Sequence, residues 1–339
     1  MSNLDLIRRQ AVIGRGGGHV KNEEKEYEIL EPKLRKLDLK FGKVIEGGTN
    51  CQVYKNKELE KIYGRKGLCI KEFWRSKSYW GYEGAGGLST IYESTIAQNL
   101  LAIKGLAPRI YELVLIEGKT CQITDYVIGK QKMKEIKDDR FEFYKDDMNR
   151  DHNWRGAKLI DFQGVKLKNY SEYKNEILKK IKKVNGEHGH TFNLYQSTEY
   201  HGGLRDTQER LKRYKFKEIK GKTVLDVGCN NGGMSRVMYD MGAKRVIGID
   251  WPNLIELTKE LAILDGYFNI DFFGYDIKKL KWTDFVIRTG IVKFDIMLFL
   301  AMEVHVGRPE WLKKSKLLYY EGHGEEREFH LERNGEEKK

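Results

Sequence analysis

Apolar and polar positions alternate in two rhythms along this chain, and the rhythm changes near Gly221. Between Gly42 and Gly129 the apolar runs are short, as strands require: Lys43 to Ile45, Gln52 to Tyr54, Leu68 to Phe73, Tyr111 to Glu117 and Cys121 to Tyr126. Among them a helix is predicted from Ser89 to Ala102, where apolar residues recur at helical spacing. Lysine-rich helices are predicted from Ser171 to Val184 and from Asp206 to Tyr214. After Gly221 strands alternate with helices, the order of a parallel sheet. Its strands are predicted around Val224 to Val227, Arg245 to Ile249, Asn269 to Phe273, Phe294 to Leu300 and Lys316 to Tyr320. A glycine-rich stretch from Gly14 to His19 and a charged stretch from Lys21 to Lys40, read as a surface helix, precede all of these. The expected division is an extension over 1–40, an α+β domain over 41–170, a helical linker and covering segment over 171–217, and an α/β domain over 218–339.

Composition narrows the classes. A chain of 339 residues with 40% apolar positions is long enough for about two domains with buried cores. The longest apolar run, Ile296 to Met302, is far shorter than a bilayer span, which excludes an integral membrane protein from the expectations. Asp5, Arg8 and Arg9 stand where a signal peptide would be apolar, and Cys51, Cys69, Cys121 and Cys229 lack metal-ligand or disulfide-framework spacing. A cytoplasmic protein with free thiols is expected. The 62 Lys and Arg against 50 Asp and Glu leave +12, which favours polyanionic partners or phosphate-bearing substrates.

The segment from Thr223 to Met234, TVLDVGCNNGGM, carries the strongest chemistry. Val224, Leu225 and Val227 read as a buried strand, and Gly228, Gly232 and Gly233 permit a tight turn into a helix. Bare backbone there admits a ligand, and the helix start offers N–H groups suited to an anion. Asp250, at the end of the next strand, is placed for a ribose diol, and Asp276, after the third, for an adenine amino group. Glu303 and His305 follow the fourth strand, on the ligand side of such sheets. From Lys220 to about Glu321 this pattern resembles class I S-adenosylmethionine-dependent methyltransferases, with Asp226, Gly228, Asn230 and Gly232 filling the first motif and Asn230 replacing its middle glycine. The resemblance implies a Rossmann-like sheet in which Asp226, Gly228, Cys229, Asn230 and Gly232 hold the methionine end of the cofactor. It further implies that Asp250 and Trp251 hold the ribose side and Asp276 and Ile277 the adenine, with Arg205 reaching the carboxylate from the covering segment. A nicotinamide cofactor is the rival; Asn230 and the lack of a second mononucleotide half disfavour it. Beyond the fifth strand only a polar tail from Glu321 remains, so the sheet is expected to be short at one edge, to be covered by the first domain, a partner subunit or the tail.

In the first domain, Ile45 to Tyr54 reads as strand, glycine turn and strand, with Gly47 and Gly48 at the turn. Lys71 lies within an apolar strand, where a lysine needs a partner, and Glu93 on the following helix is the natural one. Gln122 to Gly129 reads as a strand running into a hinge, and Asp161 at a strand end suits magnesium. From about Phe41 to Leu167 this order resembles the protein-kinase-like fold, which implies ATP and Mg binding by Gly47, Gly48, Lys71, Glu93 and Asp161. Gln163 departs from the family's glycine, and the best catalytic loop, Asp147 to Asn153, is one residue too long.

Together these features predict a methyltransferase carrying a kinase-like lobe. Glu303 and His305 are the expected bases for a hydroxyl or amine acceptor. Fusions of the two kinds cap bacterial surface polysaccharides, which suggests a small-molecule, glycan or phosphorylated acceptor by analogy. Two alternatives stay open. The basic runs Lys179 to Lys183 and Arg210 to Lys217 suit an RNA methyltransferase, and a short sheet with an altered kinase loop suits a cofactor-binding pseudoenzyme.

Overall fold

The computed structural model of the chain describes residues 34–47, 51–73, 88–129, 136, 138–142, 154–155, 158–159, 165–189, 192–198, 201–214, 216–322 and 329–333. These fall into two compact units, Leu34 to Lys174 and Asn175 to Arg333.

The first unit is built on one sheet. Its elements are β1 (Arg35–Leu37), β2 (Lys43–Gly47), β3 (Cys51–Lys55), α1 (Glu58–Tyr63), β4 (Leu68–Phe73), α2 (Leu88–Ile103), β5 (Ile110–Ile116) and β6 (Lys119–Asp125). The sheet order is β1-β5-β6-β4-β3-β2. All pairs are antiparallel except β1 with β5. The β5–β6 hairpin closes through Glu117 and Gly118 at φ 49 and 78, the left-handed pair that lets a two-residue turn follow the strand twist. Leu59 of α1 and Ile70, Val114, Ile116 and Ile123 of the strands are fully buried in one core, and β4 is buried over five successive residues, Leu68 to Glu72. Two pairs of two-residue strands follow: β7 (Phe141–Glu142) with β10 (Lys166–Leu167), and β8 (Trp154–Arg155) with β9 (Lys158–Leu159). The division between the units falls inside α3 (Tyr170–Glu187).

The second unit begins with the end of α3 and α4 (Thr207–Tyr214). It continues as β11 (Thr223–Val227), α5 (Gly233–Asp240), β12 (Arg245–Asp250), α6 (Pro252–Leu264), β13 (Ile270–Gly274), α7 (Trp282–Thr289), β14 (Phe294–Leu300), α8 (Glu303–Val306), β15 (Ser315–Glu321) and β16 (Phe329–Arg333). The sheet order is β13-β12-β11-β14-β15-β16, parallel up to β15 and antiparallel at β16. Successive strand residues supply opposite faces: Val224 and Ile296 pack in one core, Leu225 and Met297 in the other. Burial on both faces is what near-continuous apolar strands require.

Two expectations are corrected. Residues 35–37 of the charged stretch are not helical but form β1, fixed by register to β5 and by the Arg35 guanidinium, which donates to Glu112 at 2.6 and 2.8 Å; residues 21–33 lie outside the described residues. The second sheet is not short either. The tail returns as β16 along β15, pairing Leu317 with Arg333 through to Glu321 with Phe329. Polar side chains in the tail obscured this strand, because an edge strand needs only one face against the core. Of the three covers expected for that edge, the first domain, a partner subunit or the tail, it is the tail that lies along β15.

Candidate functional site

The parallel sheet brings the glycine turn, Asp250, Asp276 and Glu303 to one end, since each follows the carboxyl end of a strand. β11 ends in a turn whose alternate residues Gly228, Asn230 and Gly232 have φ 72, 46 and 77. Asparagine is among the few non-glycine residues that tolerate this region, which is why Asn230 can stand in the motif's middle position. Gly228 N and Cys229 N donate to Ile249 O at 2.9 and 3.1 Å, binding the turn to β12.

Asp250 organises the turn. Its Oδ2 accepts from Asn230 N and its Oδ1 from Trp251 N, both at 2.7 Å. At 7% exposure, burial pushes its carboxyl upward, and these two N–H groups oppose the shift. Tyr275 N donates to Asp250 O at 2.8 Å, which draws the Asp276 loop beside it. Asp276 is half-buried, accepts from Lys278 N at 3.2 Å and pairs with Lys279 at 3.3 Å; Ile277 beneath it is buried in the core. Trp251 is 40% exposed and stacks on His188, with ring centroids 5.1 Å apart and planes 9° apart.

Asp226 lies within the protein at 1% exposure, accepts from Ser235 Oγ at 2.6 Å, and is pushed by burial up to about 6. Cys229 is fully buried and its thiol is raised well above the usual range by burial, so only its backbone faces the turn's opening. The glycines answer mainly to packing. A Cβ on Gly228 would lie 2.1 Å from Met302 Sδ, and one on Gly232 3.0 Å from Phe272.

The covering segment contributes more than the sequence suggested. Gln196 N and O pair with the Asn231 side chain at 3.1 and 2.8 Å, and Gln196 Oε1 accepts from Met234 N at 3.1 Å. The start of α5, expected to face an anion, is thus capped from within the chain. Asn185 near the end of α3 holds Asn230 Nδ2 at 2.9 Å. Arg205 is half-buried with its guanidinium 5.9 Å from the Tyr195 ring, and its backbone bonds to Tyr195 and Ser197.

Arg210 on α4 is the buried guanidinium. Its Nε lies 2.8 Å from Glu321 Oε2, and its two terminal nitrogens are enclosed without a hydrogen-bond partner among the described residues. Its charge also acts on Asp226, lowering that carboxyl against burial. No sequence signal separated Arg210 from Arg205; burial did. Glu303 accepts a hydrogen bond from the Tyr320 hydroxyl, whereas His305, two residues on, is exposed. Residues i and i+2 of a helix do not share a face, so the two expected bases are not brought together.

In the first unit Gly47 ends β2, and Lys71 on β4 is 7% exposed with its Nζ 5.5 Å from the Phe73 ring. Glu93 lies on α2, half-buried, and makes no ion pair with Lys71 among the described residues. Gly48, Asp161 and the loop from Asp147 to Asn153 lie outside the described residues.

Residues 207–303 match the family of FtsJ-like methyltransferases. Protein arginine N-methyltransferase 1 of Saccharomyces cerevisiae is 36% identical over 91 residues, 25% of this chain and 26% of that protein. The ribosomal protein L11 methyltransferase of Tolumonas auensis is 42% identical over 50 residues, 14% of this chain and 17% of that one. The chain thus spans about a quarter or less of the length of these two curated relatives. The solved bifunctional kinase-methyltransferase WbdD aligns at 22% identity and TM-score 0.30, over 41% of this chain and 35% of that chain. The match over residues 207–303 gives the C-terminal region an FtsJ-like S-adenosylmethionine methyltransferase domain. Among the described residues no helix is long and apolar enough to cross a membrane.

Proposed function

We propose that the chain transfers a methyl group from S-adenosylmethionine to a small-molecule, glycan or phosphorylated acceptor. The observation that carries this reading is Asp250: a buried carboxylate at a strand's carboxyl end, tied by 2.7 Å bonds to the glycine turn and to the start of the next helix. The donor set fits the cofactor. Asp250 has lone pairs left for the ribose diol, Asp276 stands beside it for the adenine, and the two orphaned nitrogens of Arg210 suit a carboxylate. Arg210 takes the role first given to Arg205. Met302 packs on Gly228, so a ligand reaching that backbone displaces a flexible thioether.

When bound, the cofactor supplies an electrophilic methyl group to a nucleophile held in line with it. Glu303 is the residue able to take a proton from a hydroxyl or amine acceptor, and Tyr320 orients it. A phosphate oxygen would need no base. The acceptor class follows the resemblance to polysaccharide-capping fusions, and nucleotide binding by the first unit follows the order of Gly47, Lys71 and Glu93 along β2, β4 and α2. ATP and Mg titration tests the latter.

The experiment for the whole reading is calorimetric titration of S-adenosylhomocysteine into wild type and Asp250→Ala. Wild type should bind, and the variant should lose roughly 1.5 to 3 kcal/mol, the value of a charged hydrogen bond. Absence of binding by a folded wild type overturns the assignment.

A further inference from the structure

The opposite end of the second sheet carries a feature that cofactor binding does not use. Lys222, Lys244, Lys293 and Lys314 each immediately precede the first residue of a strand: Thr223 of β11, Arg245 of β12, Phe294 of β14 and Ser315 of β15. The register sets Thr223 opposite Arg245 and Phe294 opposite Ser315, so these four strands start at nearly one level. In sheet order the row runs Lys244, Lys222, Lys293, Lys314. Neighbouring strands lie about 4.8 Å apart, which spreads the four cations over roughly 15 Å. Lys244 N donates to Lys222 O at 2.8 Å, fixing the first step of the row. Lys220 and Lys313, both exposed, extend it.

These charges are not neutralised locally. Asp295 is taken by Lys316 at 2.7 Å and Asp271 by Arg245 at 3.1 Å. Among the described residues none of the six lysines makes an ion pair, although two exposed acids lie close in sequence, Glu218 two residues before Lys220 and Glu310 three before Lys313. Val292, 67% exposed, directly precedes Lys293, and Ile287, 84% exposed, lies two residues before Thr289, whose carbonyl accepts from Arg245 Nη1 at 2.9 Å at the start of β12. The Trp282 indole donates to Val292 O at 3.1 Å, which tethers that loop.

We propose that this face docks on an anionic phospholipid bilayer. Lysines near such a surface each contribute favourably at short range, and branched aliphatic tips gain by entering the headgroup boundary. A nucleic acid would satisfy the lysines but leave Ile287 and Val292 in water, and no aromatic side chain stands exposed there for bases to stack on. The candidate catalytic end lies at the other end of the same strands, about 20 Å away for strands of this length, so docking leaves it open to the aqueous side.

The test is sedimentation of the full chain with phosphatidylcholine vesicles, with and without a one-third share of phosphatidylglycerol. Binding should require the anionic lipid and weaken as salt is raised. Lys293→Gln with Lys314→Gln should reduce it about 30-fold, and Ile287→Asp with Val292→Asp about tenfold or more. Both variants replace exposed side chains and should keep the wild-type thermal midpoint and S-adenosylhomocysteine affinity. Failure to bind anionic vesicles overturns the proposal. So does binding indifferent to the aliphatic variant, and so does displacement of the vesicles by single-stranded RNA that both wild type and the aliphatic variant retain equally, which would mark a nucleic-acid face.

Discussion

Gln196 Oε1 accepts the Met234 backbone N–H at 3.1 Å, so one residue of the covering segment caps the helix that follows the glycine turn. Both partners are buried. Gln196→Ala leaves a helix-start amide without its acceptor and should cost about 1 to 2 kcal/mol. Urea unfolding followed by far-UV circular dichroism checks this; a loss below a few tenths would mean that the segment is held by its Asn231 pairing alone.

Arg210 and Glu321 form a buried ion pair, and removing one member strands the other. Arg210→Ala should therefore destabilise by about 3 to 5 kcal/mol. Arg210→Met combined with Glu321→Leu should recover most of that loss while leaving S-adenosylhomocysteine affinity at least tenfold down. A stable double variant that binds like wild type would remove Arg210 from the cofactor site.

Asp226 gives a pH signature. Burial raises its carboxyl from 3.8 to about 6 in the folded protein. A group raised on folding contributes its stabilisation fully below the unfolded value and loses it as pH climbs through the folded one. Between about pH 4 and 6 this acid should therefore withdraw on the order of 3 kcal/mol. Asp226→Asn should flatten that window and be the more stable form at pH 7.5, while binding the cofactor analogue more weakly. Thermal unfolding across pH for both proteins is the check; parallel curves would show that Asp226 is not titrating there.

Gly228 sits at φ 72 with Met302 against its α-carbon. Gly228→Ala meets both the backbone strain and the thioether, and should cost about 1 to 3 kcal/mol. Adding Met302→Ala relieves the clash but not the φ, so it should restore only part of the loss. Complete restoration would place the whole cost in the side-chain contact.

The parallel sheet could be read from the chain because burial on both faces leaves apolar runs that polar positions interrupt only at their ends, as from Phe294 to Leu300. The acids Asp250 and Asp276 were legible for the same reason: they mark where those runs stop. β16 was not, because an edge strand between polar neighbours has no two-faced signature. β1 was hidden by its charges, which serve a surface pair, Arg35 with Glu112. Gln196, Asn185 and Arg210 had no local signal, since each matters through residues distant in sequence. Glu303 was placed correctly beyond its strand, but that His305 faces elsewhere depended on the chain turning helical there.

The central position of β11 has a kinetic consequence. It is the first strand of its unit in sequence, yet one of its neighbours is β14, and Thr223 N reaches Asp295 Oδ2 across 72 residues at 2.9 Å. The middle of the sheet therefore waits for a partner that arrives late along the chain. Folding with such distant pairings is slow, and until β14 docks, β11 presents an open apolar edge. Conditions that delay the segment after Gly290 should thus trap this protein as aggregate sooner than they unfold it once the sheet is closed.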